Sequence, residues 1–478
     1  METGHVLRVI RDALDDLESQ GVNAVMWKSN EHLGAALKGE TDLDILVEDS
    51  GREKLRHIMD QRGFVVMEPP RERRLPGLES FGGVDHETGA LAHFDVHYQI
   101  VLGELLLKNH HLPVEEFLLR ERRELLGAPV PAPERELVML YIRSSLKTKT
   151  RQIVAGLVKG RSPIPESIRS EARWLAGDAS PEQLVAAGTA SGLPVESAEL
   201  KEFHSRVVDD RLDWRYVLGR RRSLTSRLRR YERMPWYAAA PRRVWLRMRN
   251  GELLESLGLG LPRRHLDFSP PVVALVGADG AGKTRLAGDL RTWLGAKLIV
   301  HHLYFGQPKG GLVFKALNKP GSIARNRGDD ERGLVRYTEA LKWLWLAVHR
   351  RRLAAKARSL AGRGEIVIAE RYPLREFHSM EVPMDGPRLQ LSGPFARVEM
   401  AQYRAIPTPG LTIVLDTDLE TLRARKIDLP LDEHIPKVEA VVGLEESPTV
   451  FRIDVGRPYE EVLLEAKRRI WGALIESH

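Results

Sequence analysis

Two groups of residues in this 478-residue chain are spaced for chemistry on phosphates. The first is Gly277-Ala278-Asp279-Gly280-Ala281-Gly282-Lys283-Thr284, which fits the G-x-x-x-x-G-K-[ST] pattern. Its glycines let the backbone wrap closely and aim N–H groups at phosphate oxygens. A helix starting at the lysine adds the favourable end of its dipole. Lys283 would then reach the β- and γ-phosphates, and Thr284 would hold Mg²⁺. The second group is Asp42-Leu43-Asp44, led by Gly39-Glu40-Thr41, with Asp95 further on in His93-Phe94-Asp95-Val96-His97. Strand alternation puts Asp42 and Asp44 on one face. Three carboxylates from two neighbouring strands suffice for a two-metal site that aligns a hydroxyl with an α-phosphate and stabilises leaving pyrophosphate. The plainer alternative is that Asp42 and Asp44 serve a turn and cap and that Asp95 is a surface acid. His93 and His97 read as core or surface histidines in preference to metal ligands.

These residues need a scaffold. Val272–Val276 is a continuous apolar run, the pattern of a buried parallel strand, and Arg285–Leu290 can open a helix. Further strands are expected at Leu298–His302, Glu365–Ala369, Leu411–Leu415 and Phe451–Ile453, alternating with helices. Residues 266–478 are therefore expected to form a parallel-sheet α/β domain. Residues 1–130 mix helices and strands in an α+β pattern, with a helix over Val6–Leu17 and strands at Ala24–Trp27, Leu43–Val47 and Leu91–Ile100. Residues 131–265 read as a helical region and basic connector, with proline breaks at Pro129–Pro133, Ser162–Pro165 and Pro235–Pro241.

Composition narrows the chemistry. There is no cysteine, which excludes disulfides, thiolate metal sites and a cysteine nucleophile and fits a reducing cytoplasm. The start, Met-Glu-Thr-Gly-His, lacks the regions of a signal peptide. No uncharged apolar stretch is long enough to span a bilayer, so a cytoplasmic protein without a membrane partner is expected. The net charge of +7 is uneven: residues 211–264 hold fifteen arginines against Asp213, Glu232, Glu252 and Glu255. Such a stretch suits a nucleotide, a nucleic acid or a membrane surface, but a solvated helical connector is the preferred reading.

The C-terminal region supplies the other parts of a phosphotransferase, a strand-end carboxylate and arginines. Glu370, ending the Glu365–Ala369 run, would act on Mg²⁺ or as general base, and Arg371 would grip an acceptor. With Asp-Gly inside the phosphate loop, Glu370-Arg371-Tyr372 after a strand, Ala347-Val348-His349-Arg350 on a helix, Leu415-Asp416 closing another strand and Arg452-Ile453-Asp454 before Arg457-Pro458-Tyr459, residues 268–478 resemble a thymidylate-kinase-like domain. The resemblance implies that Asp279, Arg350 and Arg371 face the acceptor, and that Arg423 and Arg425 begin a lid and offset transition-state charge. It departs from the family at Glu370 and His349, where the family has Asp. It departs again at His302-Leu303-Tyr304-Phe305-Gly306-Gln307-Pro308, where the family has a Pro-Gly-Gly-Thr segment.

Residues 5–130 resemble the polymerase-β-type nucleotidyltransferases, in particular small bacterial members in which a lysine-containing strand and helix precede Asp-x-Asp. Trp27-Lys28-Ser29-Asn30 stands in that place, with Lys28 or Ser29 implied as triphosphate contacts, although the usual glycine pair is missing. The combined expectation is a fused enzyme with two ATP- or NTP-using, Mg²⁺-dependent centres and a small-molecule acceptor, with a homodimer allowed for. Two alternatives stay open: an active kinase with an N-terminal nucleotide sensor, and a nucleic-acid-binding ATPase using the basic stretch, which ranks last because no groove-reading motif accompanies it.

Overall fold

The computed structural model describes residues 6–104, 107–147, 162–249, 263–308, 333–379, 385–388, 394–418, 420, 422 and 431–478. The chain divides into two units, Met1–Pro262 and Arg263–His478.

In the first unit the strands β1 (Ala24–Met26), β2 (Leu43–Val47), β3 (Val65–Glu68), β4 (Leu78–Val84) and β5 (Leu91–His97) lie in the order β1-β2-β5-β4-β3. Only β2 and β5 run parallel, with Asp44 opposite Asp95; β1–β2, β5–β4 and β4–β3 are antiparallel. Alternation gives the sheet two buried faces. Met26, Ile45, Val47 and Phe94 join Ile10, Leu14, Leu55 and Ile58 from the helices Arg8–Ser19 and Arg52–Gln61. On the opposite face, Val25, Trp27 and Leu46 share a core with the helices Pro133–Lys147, Glu166–Asp178, Pro181–Ala190 and Ser197–Val208. The helical middle of the chain thus packs into the same unit as the N-terminal sheet. Two hairpins complete it, β6 (Ile100–Leu102) with β7 (His110–Leu112) and β8 (Arg122–Leu125) with β9 (Ala128–Pro131).

The second unit opens with a two-residue strand, β10 (His265–Leu266). Its sheet is built from β11 (Val272–Gly277), β12 (Val300–Tyr304), β13 (Ile366–Glu370), β14 (Leu411–Asp416) and β15 (Val450–Asp454) in the order β12-β13-β11-β14-β15, every pair parallel. Val273–Val276 and Ile366–Ala369 are almost wholly buried, as strands covered by helices on both faces must be.

Several expected boundaries shift for local reasons. The strand expected over Leu298–His302 begins at Val300 because the Leu298 N–H is spent on Leu294 O at the end of the preceding helix. It therefore runs on to Tyr304, opposite Glu370. The strand expected to reach Ile100 stops at His97, where the Tyr98 N–H turns to Gly77 O and the Ile100 N–H to Glu115. Pro241 does not break its segment but sits inside the helix Trp236–Arg249. It faces solvent, so the Tyr237 carbonyl that it leaves without a helical donor can be hydrated.

Gly364 tests this fold. It has φ +76°, and a Cβ there would collide with the carbonyl oxygen of Leu266, whose N–H donates to Gly364 O. Gly364→Ala is expected to lower stability by about 2–4 kcal/mol, read as an earlier urea midpoint; an unchanged midpoint would contradict this turn.

Candidate active sites

Parallel pairing of β11 with β13 sets Leu275 opposite Glu370, so Glu370 arrives beside the loop that leaves β11. Gly277, Gly280 and Gly282 take φ of 157°, 99° and 89°, and the helix Lys283–Gly295 starts directly after Gly282. A side chain at Gly277 would meet Leu415 O at 2.9 Å, which holds the loop against β14. Lys283 is buried and folded back, its Nζ donating to Gly277 O and Ala278 O at 2.7 Å each. Burial, reinforced by Arg371, pushes its pKa down to about 8 against the pull of Asp279, Asp385 and Glu370. Thr284 Oγ1 donates to Glu370 Oε1 at 2.7 Å, and His302 Nε2 stands 3.3 Å from Glu370 Oε2. Burial raises the Glu370 pKa, but nearby His302 and the hydrogen bond from Thr284 outweigh it and hold the carboxyl below its ordinary value. A hydroxyl and a carboxylate side by side are the oxygen donors a Mg²⁺ ion takes.

Arg371 is in the left-handed region, φ 59°, which aims its guanidinium across the loop at Asp279. Its Nη1 lies 3.7 Å from Asp385 Oδ2, and its guanidinium is 6.0 Å from the centre of the Tyr304 ring. Arg350 is buried, with Nε donating to Phe305 O at 2.7 Å and Nη1 to Asp385 O at 2.6 Å and the Tyr403 hydroxyl at 2.8 Å. Its Nη2 donates to Asp385 Oδ1 at 3.1 Å. Asp279, Arg371, Asp385 and Arg350 thus alternate in sign, with Arg350 holding Asp385 from within rather than facing an open acceptor space. Sequence reasoning passed over Asp385; its signal was an acid directly before the Gly386-Pro387 turn. Arg423 and Arg425 lie outside the described residues.

In the first unit, Asp42, Asp44, His93, Asp95 and His97 share the face of β2 and β5 that meets the helices. They divide into two sets. His93 Nδ1 stands 2.8 Å from Asp42 Oδ1 and its Nε2 3.4 Å from Asp95 Oδ1, yet neither ring nitrogen makes a well-aimed hydrogen bond. One donor atom from each of Asp42, His93 and Asp95 can converge on a metal ion. Asp95 Oδ1 also accepts from Ser80 Oγ at 2.6 Å. Asp44 is turned instead to Lys28 Nζ, 2.6 Å, and His97 Nε2, 3.2 Å. Burial disfavours its charge, but Lys28 and His97 more than offset this and hold it well below the usual carboxylate range. The side chains that converge are thus Asp42, Asp95 and His93, which was read from sequence as a core or surface histidine, while Asp44 of the expected carboxylate trio is turned to Lys28.

The helices close this cleft with charge. Ser29, at φ 60°, donates its backbone N–H to Glu171 Oε1 at 3.1 Å, so that N–H is not aimed at a phosphate. Glu171 accepts from Arg143 at 2.6 Å on both oxygens. Asn30 Nδ2 donates to Glu136 Oε2 at 2.9 Å. Burial pushes Glu136 up to about 7. Lys28, Lys108, Arg143 and Lys147 make the cleft basic around its carboxylates.

No protein-family model matches the chain. It is similar to the uncharacterized ATP-binding protein YghR of Escherichia coli strain K12, 29% identical over 231 residues, 43% of this chain and 88% of that protein. It is similar to the thymidylate kinase of Xanthomonas campestris pv. campestris strain B100, 28% identical over 216 residues, 43% of this chain and 85% of that protein. Among solved structures, the thymidylate kinase of Candida albicans aligns at 16% identity with a TM-score of 0.30, over 42% of this chain and 94% of that one. A thymidylate-kinase-like P-loop region thus accounts for about 43% of the chain. None of these three similarities bears on nucleotidyl transfer.

The depressed Lys283 pKa makes a pH prediction. A triphosphate seated on Lys283 requires its ammonium form, so above pH about 8 the free protein must take up a proton to bind ATP. ATP affinity should fall as pH rises past that value, and calorimetry in buffers of different ionisation heat should show proton uptake that Lys283→Met abolishes. Binding with no proton uptake would contradict the described lysine.

Proposed function

We propose that the second unit is an ATP-dependent phosphotransferase acting on a small hydroxyl acceptor, and that the first unit carries a metal-dependent nucleotidyl-transfer centre. The observation that carries the first part is the meeting of Lys283, Thr284 and Glu370 at one strand end. Lys283 leaves the Gly277 and Ala278 carbonyls for the β- and γ-phosphates. Thr284 and Glu370 would hold Mg²⁺, whose charge would offset that developing on the transferred phosphoryl group. Arg371 lies across the loop, where it would add positive charge to that group, a role that the family resemblance also implies for Arg423 and Arg425. Asp279 and Asp385 are hydrogen-bond acceptors on the acceptor side. Because Arg350 is committed to Asp385 and Arg371 to Asp279, an anionic acceptor would have to displace carboxylates, whereas a neutral hydroxyl compound such as a sugar or nucleoside finds acceptors in place. A nucleoside monophosphate is therefore the second choice.

In the first unit, Asp42, His93 and Asp95 would hold the cation that brings an NTP α-phosphate to a hydroxyl, with Lys28 and Lys147 on the triphosphate. The Lys28–Asp44 pair also favours a second reading, in which this unit binds a nucleotide without turnover, because Asp44 is withheld from the metal.

The test uses intact protein, γ-labelled and α-labelled ATP and a panel of sugars, nucleosides and nucleoside monophosphates. Lys283→Ala should cut γ-phosphoryl transfer by about 10²–10³-fold and leave label transfer from the α-position intact. Asp42→Asn with His93→Ala should do the reverse. Phosphorylation of monophosphates alone would overturn the acceptor assignment, and absence of α-label transfer with retained nucleotide binding would select the sensor reading.

A further inference from the structure

The helix Trp236–Arg249 carries a face that neither nucleotide centre uses. Its inner side is pinned to the first unit by buried Ala239 and Leu246 and by Arg243, whose Nε lies 2.7 Å from Glu104 Oε2. On the outer side Tyr237, Pro241, Val244 and Met248 follow one another at helical spacing and form one exposed stripe. Tyr237, Val244 and Met248 are 67%, 57% and 63% exposed, and Trp236 and Trp245 flank them at 71% and 41%. So many large apolar groups standing together in water cost free energy unless something covers them.

Charge identifies what covers them. Residues 229–249 hold Arg229, Arg230, Arg233, Arg242, Arg243, Arg247 and Arg249 against a single acid, Glu232. By helical position Arg247 lies along one edge of the stripe, where it ion-pairs with Glu104, and Arg242 and Arg249 lie along the other, where Arg242 Nη2 donates to Glu72 O at 3.3 Å, bonds that headgroup phosphates would replace. An apolar stripe with tryptophans at its margin and arginines on both edges is the pattern of a helix lying in a membrane interface, with its stripe among acyl chains and its guanidinium groups on headgroup phosphates. A nucleic acid would use the arginines but leave Pro241, Val244 and Met248 without a function, since these do not stack on bases. A second copy of this face would bring arginine edges against arginine edges.

We propose that this helix docks the protein on an anionic lipid surface. It lies on the bilayer and does not cross it: among the described residues no helix is long and apolar enough to span a membrane. This revises the expectations of a merely solvated arginine stretch and of no membrane partner. The charge count was visible in the sequence, but the exposure of the apolar stripe beside it was not.

The experiment is sedimentation of the intact protein with vesicles of phosphatidylcholine alone and of phosphatidylcholine mixed with phosphatidylglycerol. Binding is expected only to the mixed vesicles and should weaken with added salt. Val244→Ser with Met248→Ser should lower partitioning by about tenfold or more. Arg242→Gln and Arg249→Gln should each lower it about fivefold. Unchanged ATP binding and far-UV circular dichroism would show that these surface variants fold. The proposal is overturned by equal affinity for neutral vesicles or by stripe variants that bind undiminished. It is also overturned if the protein ignores vesicles and instead binds single-stranded RNA through the arginines alone, or forms a dimer that the stripe variants dissolve.

Discussion

The phosphate-handling end of the second unit depends on the parallel register of β11 and β13. With Leu275 opposite Glu370, the Glu370 carboxylate arrives one hydrogen bond from Thr284, in the first turn of the helix that follows the glycine-rich loop. A change in that register would displace Glu370 from Thr284 and direct its side chain to the other face of the sheet. The β12–β13 register sets Tyr304 opposite Glu370, with His302 near its second oxygen and the Phe305 N–H donating to Glu370 O at 2.9 Å. The covered apolar sheet thus does more than supply stability. It fixes the glycine-rich loop beside Glu370 and Arg371, which lie far from it in sequence.

Both candidate centres keep their buried and half-buried charges paired. Lys28 covers Asp44, Arg371 covers Asp279, Arg350 covers Asp385, and Lys283 rests on loop carbonyls. An unpaired charge in these places would be costly.

Much of this was legible in the chain. Val272–Val276 with the loop behind it predicts strand, turn and helix, and all three form. Glu370 at a strand end was readable because the apolar run before it is continuous. Asp42, Asp44 and Asp95 were readable as neighbours, since strand alternation carries them to one face. Which of them share a ligand set was not. That depends on Lys28 reaching Asp44 and on His93 rotating between Asp42 and Asp95, outcomes of packing against the helices Pro133–Lys147 and Glu166–Asp178. Asp385 escaped for the same reason: nothing local says that Arg350 will bury itself on it. Pro241 misled because it is exposed on its helix, where the carbonyl it frees can be hydrated.

The central claim is that Thr284 and Glu370 form a metal–nucleotide site completed by Lys283. The most direct measurement is the ATP affinity of the intact protein with Mg²⁺ and with a chelator, in wild type and in Glu370→Gln. The account predicts at least about tenfold tighter binding with Mg²⁺ in wild type, and in Glu370→Gln a loss of most of that gain with metal-free affinity retained. A Mg²⁺ gain unchanged in Glu370→Gln would contradict it.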